Sequence, residues 1–153
     1  AIEVYSGTEE GGFTEVPTSV LAGIRNSDQL GWSLTTCDFN GDGRLDLVAG
    51  INDAPVGAFL RTGGSQPFRI KLAGPAGNPG GIGSRLTIRM SDGTIHTGEL
   101  RAGCGYLSQS PAVFTFGAPV DTLPESVTVR WPDGSTTRSS FKRDKANLLI
   151  RKP

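Results

Sequence analysis

The chain has 153 residues, and Lys plus Arg balances Asp plus Glu at 15 each. That length allows one ordinary domain or two small ones with a real core, and the charge balance excludes the net basic field that favours nucleic acid or a membrane surface. Apolar runs such as "VFTF" and "NLLI" fall far short of the roughly 18 residues of a membrane-spanning helix, which excludes insertion by that route. Glycine contributes 22 residues and proline 10. Together with short runs of Val, Ile, Thr and Phe, they predict an all-β protein of short strands and tight turns.

In chain order, "IEVYSGTEEGGFTEV" reads as strand, turn and strand, and "GWSLTTCDF" and "DLVAGI" as two strands flanking an acidic loop. Residues 1 to about 60 thus predict four short antiparallel strands, the size of a propeller blade, with a poor core and bare edges. Unpaired edges make homo-oligomer formation a candidate property of this unit. Short β segments follow in "GAFLRT" and "PFRIKLAG". "GPAGNPGGIG", residues 74–83, marks a boundary or a structured loop. Beyond it, Leu86, Ile88 and Met90 alternate with polar residues before an "SDG" turn, and Val127, Val129 and Trp131 do so before "PDG"; each is a hairpin signature. With "AVFTFG" and "ANLLIRK" this gives about six or seven strands, enough for a β-sandwich. The predicted division is residues 1–66 for the blade-like unit and 67–153 for the sandwich. The chain opens on strand-like "AIEVYSG" with no leader pattern, so either a signal has been removed or the sequence belongs to something longer.

The stretch "DFNGDGRLD" crowds like charges, and a hard dication explains the crowding. Ca²⁺ takes six to eight oxygens, which a tight loop supplies at alternate positions with glycine at the sharp turn. Asp38, Asn40, Asp42, the Arg44 carbonyl and Asp46 form the predicted ligand set, with Gly43 at the turn. An EF-hand would need a Glu where Ala49 stands, and helical flanks. Zinc is disfavoured because His96 is the single histidine and the loop holds no cysteine. Sodium, potassium and magnesium remain alternatives to a structural Ca²⁺.

The segment "LGWSLTTCDFNGDGRLDLVAGIND" resembles an FG-GAP or VCBS repeat, the blade of integrin-type β-propellers, whose DxDxDGxxD pattern is matched by Asp38, Asn40, Asp42, Gly43 and Asp46. Downstream, "GNPGGIGSRL", "GYLSQS", "FTFGA" and "VTVRWPDG" resemble the ASPIC/UnbV domain that follows such repeats in secreted bacterial proteins and in the cartilage acidic protein family. The resemblance implies a transthyretin-like β-sandwich and a secreted module, extracellular or periplasmic, for adhesion or interaction with a protein or glycan partner. It implies structural cations and no catalytic residues. It also suggests the C-terminal part of a larger propeller protein, since there is room for about one blade.

An enzyme, carbohydrate-active above all, or a carbohydrate-binding module is the competing class. It would need two convergent carboxylates, for which Glu99, Glu125 and Asp133 are available; turn and strand-face carboxylates are ordinarily solvated. His96 reads as a solvent-facing strand residue, and "GYLSQS" lacks the strand-to-helix turn of a nucleophile elbow. A Cys104–Gln109 thioester has no support in the spacing. Cys37 and Cys104 either pair in an oxidising compartment or pack as two small apolar residues. Trp32 and Trp131 read as core, and Tyr106, in a Gly-flanked loop, is the candidate surface contact.

Overall fold

The computed structural model of the chain describes residues 4–8, 10–16, 31–62, 67–118, 121–142 and 146–153. Every regular element among them is a strand, as the composition predicts. The Trp32 side chain lies outside what is described, and the expectation for it with it.

Strands β1 (Val4–Gly7) and β2 (Phe13–Val16) form an antiparallel hairpin of their own. Strands β3 (Gly31–Cys37), β4 (Asp46–Ile51) and β5 (Gly57–Phe59) form a separate antiparallel sheet in the order β3-β4-β5. The anticipated blade of four strands in one sheet is therefore two smaller sheets among the described residues. β3 pairs with β4 across the acidic loop, Cys37 opposite Asp46 and Leu34 opposite Ala49. In this sheet the described residues that reach full burial are Asp46 and Ala49, whereas Leu34 stays 45 % exposed.

The remaining strands build a two-layer sandwich. They are β6 (Phe68–Ala73), β7 (Arg85–Met90), β8 (Ile95–Glu99), β9 (Val113–Phe116), β10 (Pro124–Arg130), β11 (Thr136–Ser140) and β12 (Asn147–Arg151). One sheet runs β11-β10-β7-β8 and the other β12-β6-β9. The predicted hairpins are β7–β8 and β10–β11, each turn stiffened by its aspartate: Asp92 accepts from Thr94 N at 2.9 Å and Asp133 from Ser135 N at 3.1 Å. The alternation works as read, with Leu86, Ile88, Met90, Val127, Val129 and Trp131 all facing the core. They meet Ile70, Leu72, Phe116 and Ile150 from the other sheet. Burying each such side chain contributes roughly 1.5–3 kcal/mol. Trp131 also keeps its polar atom satisfied, because Nε1 donates to Thr137 Oγ1 at 2.8 Å.

The "GNPGGIG" segment is a structured loop. Asn78 closes it, with Nδ2 donating to the Ile82 carbonyl and Oδ1 accepting from Ile82 N, both at 2.8 Å. The closed loop lies over the end of the core, where Gly81 packs against Leu72 and Trp131.

One orientation differs from expectation. His96 is opposite Ile88 in the register and half-buried, its ring 5.7 Å from that of Phe116, while its neighbour Ile95 points outward and is 54 % exposed. On this edge strand the inward positions are His96 and Gly98, and the Phe114 ring fills the space that a Cβ at Gly98 would need. His96 is therefore an edge-packing residue and not a solvent-facing one.

Candidate metal centre

The acidic loop links β3 to β4, and its shape comes from side chains bonding to backbone amides. Asp38 Oδ2 accepts from Gly43 N at 3.1 Å, Asn40 Oδ1 from Asp42 N at 3.1 Å, and Asp42 Oδ1 from Arg44 N at 2.8 Å. Such short-range bonds are the preferred chemistry of Asp and Asn in turns. Gly43 sits at φ +92°, a left-handed conformation that would strain most side chains and that lets the chain double back. Asp42 is held below the usual carboxylate range, first by the Arg44 amide and then by the Asn40 amide group.

Asp46, the last predicted ligand, is fully buried, its two oxygens accepting from Phe39 N at 2.9 Å and from Arg61 N at 2.8 Å. It ties the loop to the chain that leaves β5. Asp38 makes the longest-range contact, an ion pair at 3.0 Å between Oδ2 and Arg69 Nη2 on β6. Its other oxygen, Oδ1, is buried and has no hydrogen-bond partner. An orphaned carboxylate oxygen costs free energy unless a cation or donor satisfies it.

Among the described residues, no three His, Cys, Asp or Glu side chains gather as a ready metal-binding group. Asp46 is turned onto backbone amides and Asp42 onto Asn40 and Arg44, so the carboxylates do not converge on one point. The donor set nonetheless fits a hard cation. It is all oxygen, each engaged carboxylate oxygen has a second lone pair, and Asp38 Oδ1 lacks any partner.

The loop lies at the junction of the β3-β4-β5 sheet and the sandwich. A cleft of about 440 Å³ opens there, walled by Cys37, Asp38, Arg69, Ser110 and Phe114 among others. Next to it the "GYLSQS" segment covers the edge of β3 that no described strand pairs with: Ser108 Oγ donates to the Leu34 carbonyl at 2.8 Å, and Ser110 Oγ accepts from Thr36 N at 3.3 Å. Thr35 Oγ1 donates to the Gln109 carbonyl at 3.1 Å. These hydroxyls stand in for the strand that a bare edge lacks. Sequence reasoning quoted the motif without finding this role, because its partners lie 74 residues away. Arg69 was missed for the same reason.

The remaining candidates are dispersed. Cys37 and Cys104 are both free, one half-buried and one exposed, so the candidate disulfide is not made. They border adjoining clefts that share the wall formed by Ser110, Pro111, Val113 and Phe114. Gln109 keeps its amide in use, with Oε1 accepting from Gly103 N and Nε2 donating to the Ser110 carbonyl, which leaves it unsuited to a thioester. Tyr106 is 72 % exposed at the loop tip beside the equally prominent Leu107. Glu125 and Asp133 lie at opposite ends of β10, and Glu99 is two strands away from it.

Residues 74–151 match the family described as ASPIC and UnbV, and residues 30–63 match the FG-GAP repeat. The first match covers more than half of the chain, which belongs to the ASPIC and UnbV family. Among individual proteins, the chain is 27 % identical to mouse cartilage acidic protein 1 over 74 % of its own length and 18 % of the relative's. It is 39 % identical to human phosphatidylinositol-glycan-specific phospholipase D over 69 % of its length and 12 % of that enzyme's, and 34 % identical to the bovine enzyme over 51 % and 10 %. The chain spans less than a fifth of the length of these curated relatives. Among the described residues, no helix is long and apolar enough to cross a membrane.

Proposed function

We propose that the chain is a non-catalytic extracellular interaction module whose β3–β4 loop is stabilised by Ca²⁺. The observation that carries the reading is the loop itself, an all-oxygen donor set in a chain with an FG-GAP match, containing a buried carboxylate oxygen without a partner. Asp38, Asn40, Asp42 and Asp46, with the Arg44 carbonyl, would hold the ion. The ion would supply charge neutralisation and no reaction chemistry. Binding to the folded loop alone stabilises the fold by mass action.

The ASPIC and UnbV membership and the similarity to cartilage acidic protein 1 support an interaction role. The similarity to the phospholipases spans about a tenth of those enzymes and brings no reaction to this chain. Dispersal of Glu99, Glu125 and Asp133 also favours the non-catalytic reading over a glycosidase. The division into a blade-like unit, 1–66, and a sandwich, 67–153, belongs to the same proposal.

A thermal melt in millimolar Ca²⁺ and in excess chelator, with elemental analysis of the sample, tests the reading. The expected result is a rise of several degrees with Ca²⁺ that Asp42→Ala abolishes. Identical melts of a sample shown to be metal-free before Ca²⁺ addition would overturn it.

A further inference from the structure

Although the whole chain carries no net charge, the outer face of the β11-β10-β7-β8 sheet is strongly basic. The inward residues of these strands are apolar, so by alternation the partners between them point to solvent. Arg130 stands directly opposite Arg85, and Arg85 opposite Glu99. In the next row Arg138, Thr128, Thr87 and Thr97 cross the sheet, and in the third Ser126 and Arg89. Arg85, Arg89, Arg130 and Arg138 are all exposed, and none makes an ion pair among the described residues. Glu99 is the one carboxylate in these rows. Like charges directly opposite each other destabilise a sheet, so stability does not account for Arg85 beside Arg130. Of the nearby carboxylates, Asp133 is paired with Lys152 at 2.7 Å, while Asp92 in its turn and Glu125 at the β10 bulge keep their charge at the margin of the face.

We propose that this face binds a sulfated polysaccharide. Guanidinium groups match the oxygens of sulfate in paired hydrogen bonds, and the interleaved Thr and Ser hydroxyls supply further donors. Arg85 and Arg89 are about 13 Å apart along β7, which suits an extended anionic chain over a single small ion. Competing polyanions fit less well. Ile95 is the one large apolar residue in these rows, so the face has no aromatic platform for bases and no apolar anchor for a bilayer. The choice of a polysaccharide rests on the extracellular reading above, whereas the basic face does not.

The test is retention of the whole chain on immobilised heparin, with duplex DNA and phosphatidylserine vesicles as competitors. Retention is expected at about 0.15 M salt. The Arg85→Ser/Arg130→Ser variant should bind about tenfold more weakly, with a salt dependence reduced by about two charges. Its melting temperature should be unchanged or higher, since the opposed pair is gone, and Arg151→Ser on the other sheet should bind like the unaltered chain. No retention, an equal loss in Arg151→Ser, or equal binding to DNA or vesicles would overturn the proposal. Retention measured in Ca²⁺ and in chelator should be the same, and its loss in chelator would also overturn it. If Ca²⁺ proves irrelevant to stability while heparin is still held, the cation reading falls and this one stands.

Discussion

The sandwich and the β3-β4-β5 sheet are held together by different physics. The sandwich is an apolar lattice in which Leu86, Ile88, Val127 and Val129 lose all contact with water. Among the described residues, the β3-β4-β5 sheet buries a carboxylate and an alanine, and hydrogen bonds around Asp46, Asp38 and the serines of the "GYLSQS" loop order it. A core of close-packed side chains specifies itself. Where the described residues bury so little apolar surface, the observed order rests more on polar partners, among them neighbouring chain segments.

The comparison can be broken most severely at Trp131. Trp131→Ala leaves a cavity at the loop-covered end of the sandwich core and should cost about 3–5 kcal/mol, whereas Leu34→Ala on the small sheet should change stability by under about 0.5 kcal/mol. Chemical denaturation of both variants measures the contrast, and equal losses would contradict it. Next in size is the edge cover. Ser108→Ala with Ser110→Ala removes the two hydroxyls that hold the loop on β3 and should cost roughly 1–3 kcal/mol in all, read as faster hydrogen exchange at Thr36 than at Ile88.

A smaller effect is expected at Ser84, whose hydroxyl is fully buried in the sandwich without a hydrogen-bond partner. Ser84→Ala should be neutral or stabilising by up to about 1 kcal/mol, and a clear loss of stability would mean the hydroxyl is satisfied in solution. The smallest effect is electrostatic. Asp133 is held well below the usual carboxylate range, first by Lys152 and then by Ser135. A lowered folded-state value gives stability that is present above the unfolded value of about 3.9 and is lost as pH falls below it. Asp133→Asn should therefore flatten the acid limb of the denaturation midpoint measured from pH 5 to pH 2, and leave the midpoint near pH 7 only slightly lower.

Legibility in the sequence follows the same division. Period-two alternation made both sandwich hairpins and the inward Trp131 readable, because a buried face imposes its pattern on the strand. The turn from Asp38 to Asp46 was readable as a turn because its hydrogen bonds are local. What could not be read is what depends on distant partners. The parallel pairing of β12 with β6, Arg69 against Asp38, and Ser108 and Ser110 against β3 each join segments whose sequences carry no sign of one another. His96 was misjudged because an edge strand tolerates a half-polar inward residue and an outward Ile95, so hydropathy there does not report direction.

Under the proposed function, a cation would support the small sheet while the sandwich stands on its apolar core. Residue-resolved hydrogen exchange in Ca²⁺ and in excess chelator tests it most directly. The account predicts that chelation speeds exchange across residues 37–51 and leaves β7 and β10 as protected as before. Equal protection of the loop in both conditions, from a sample confirmed to be free of metal in the chelator, or a uniform change over the whole chain, would contradict it.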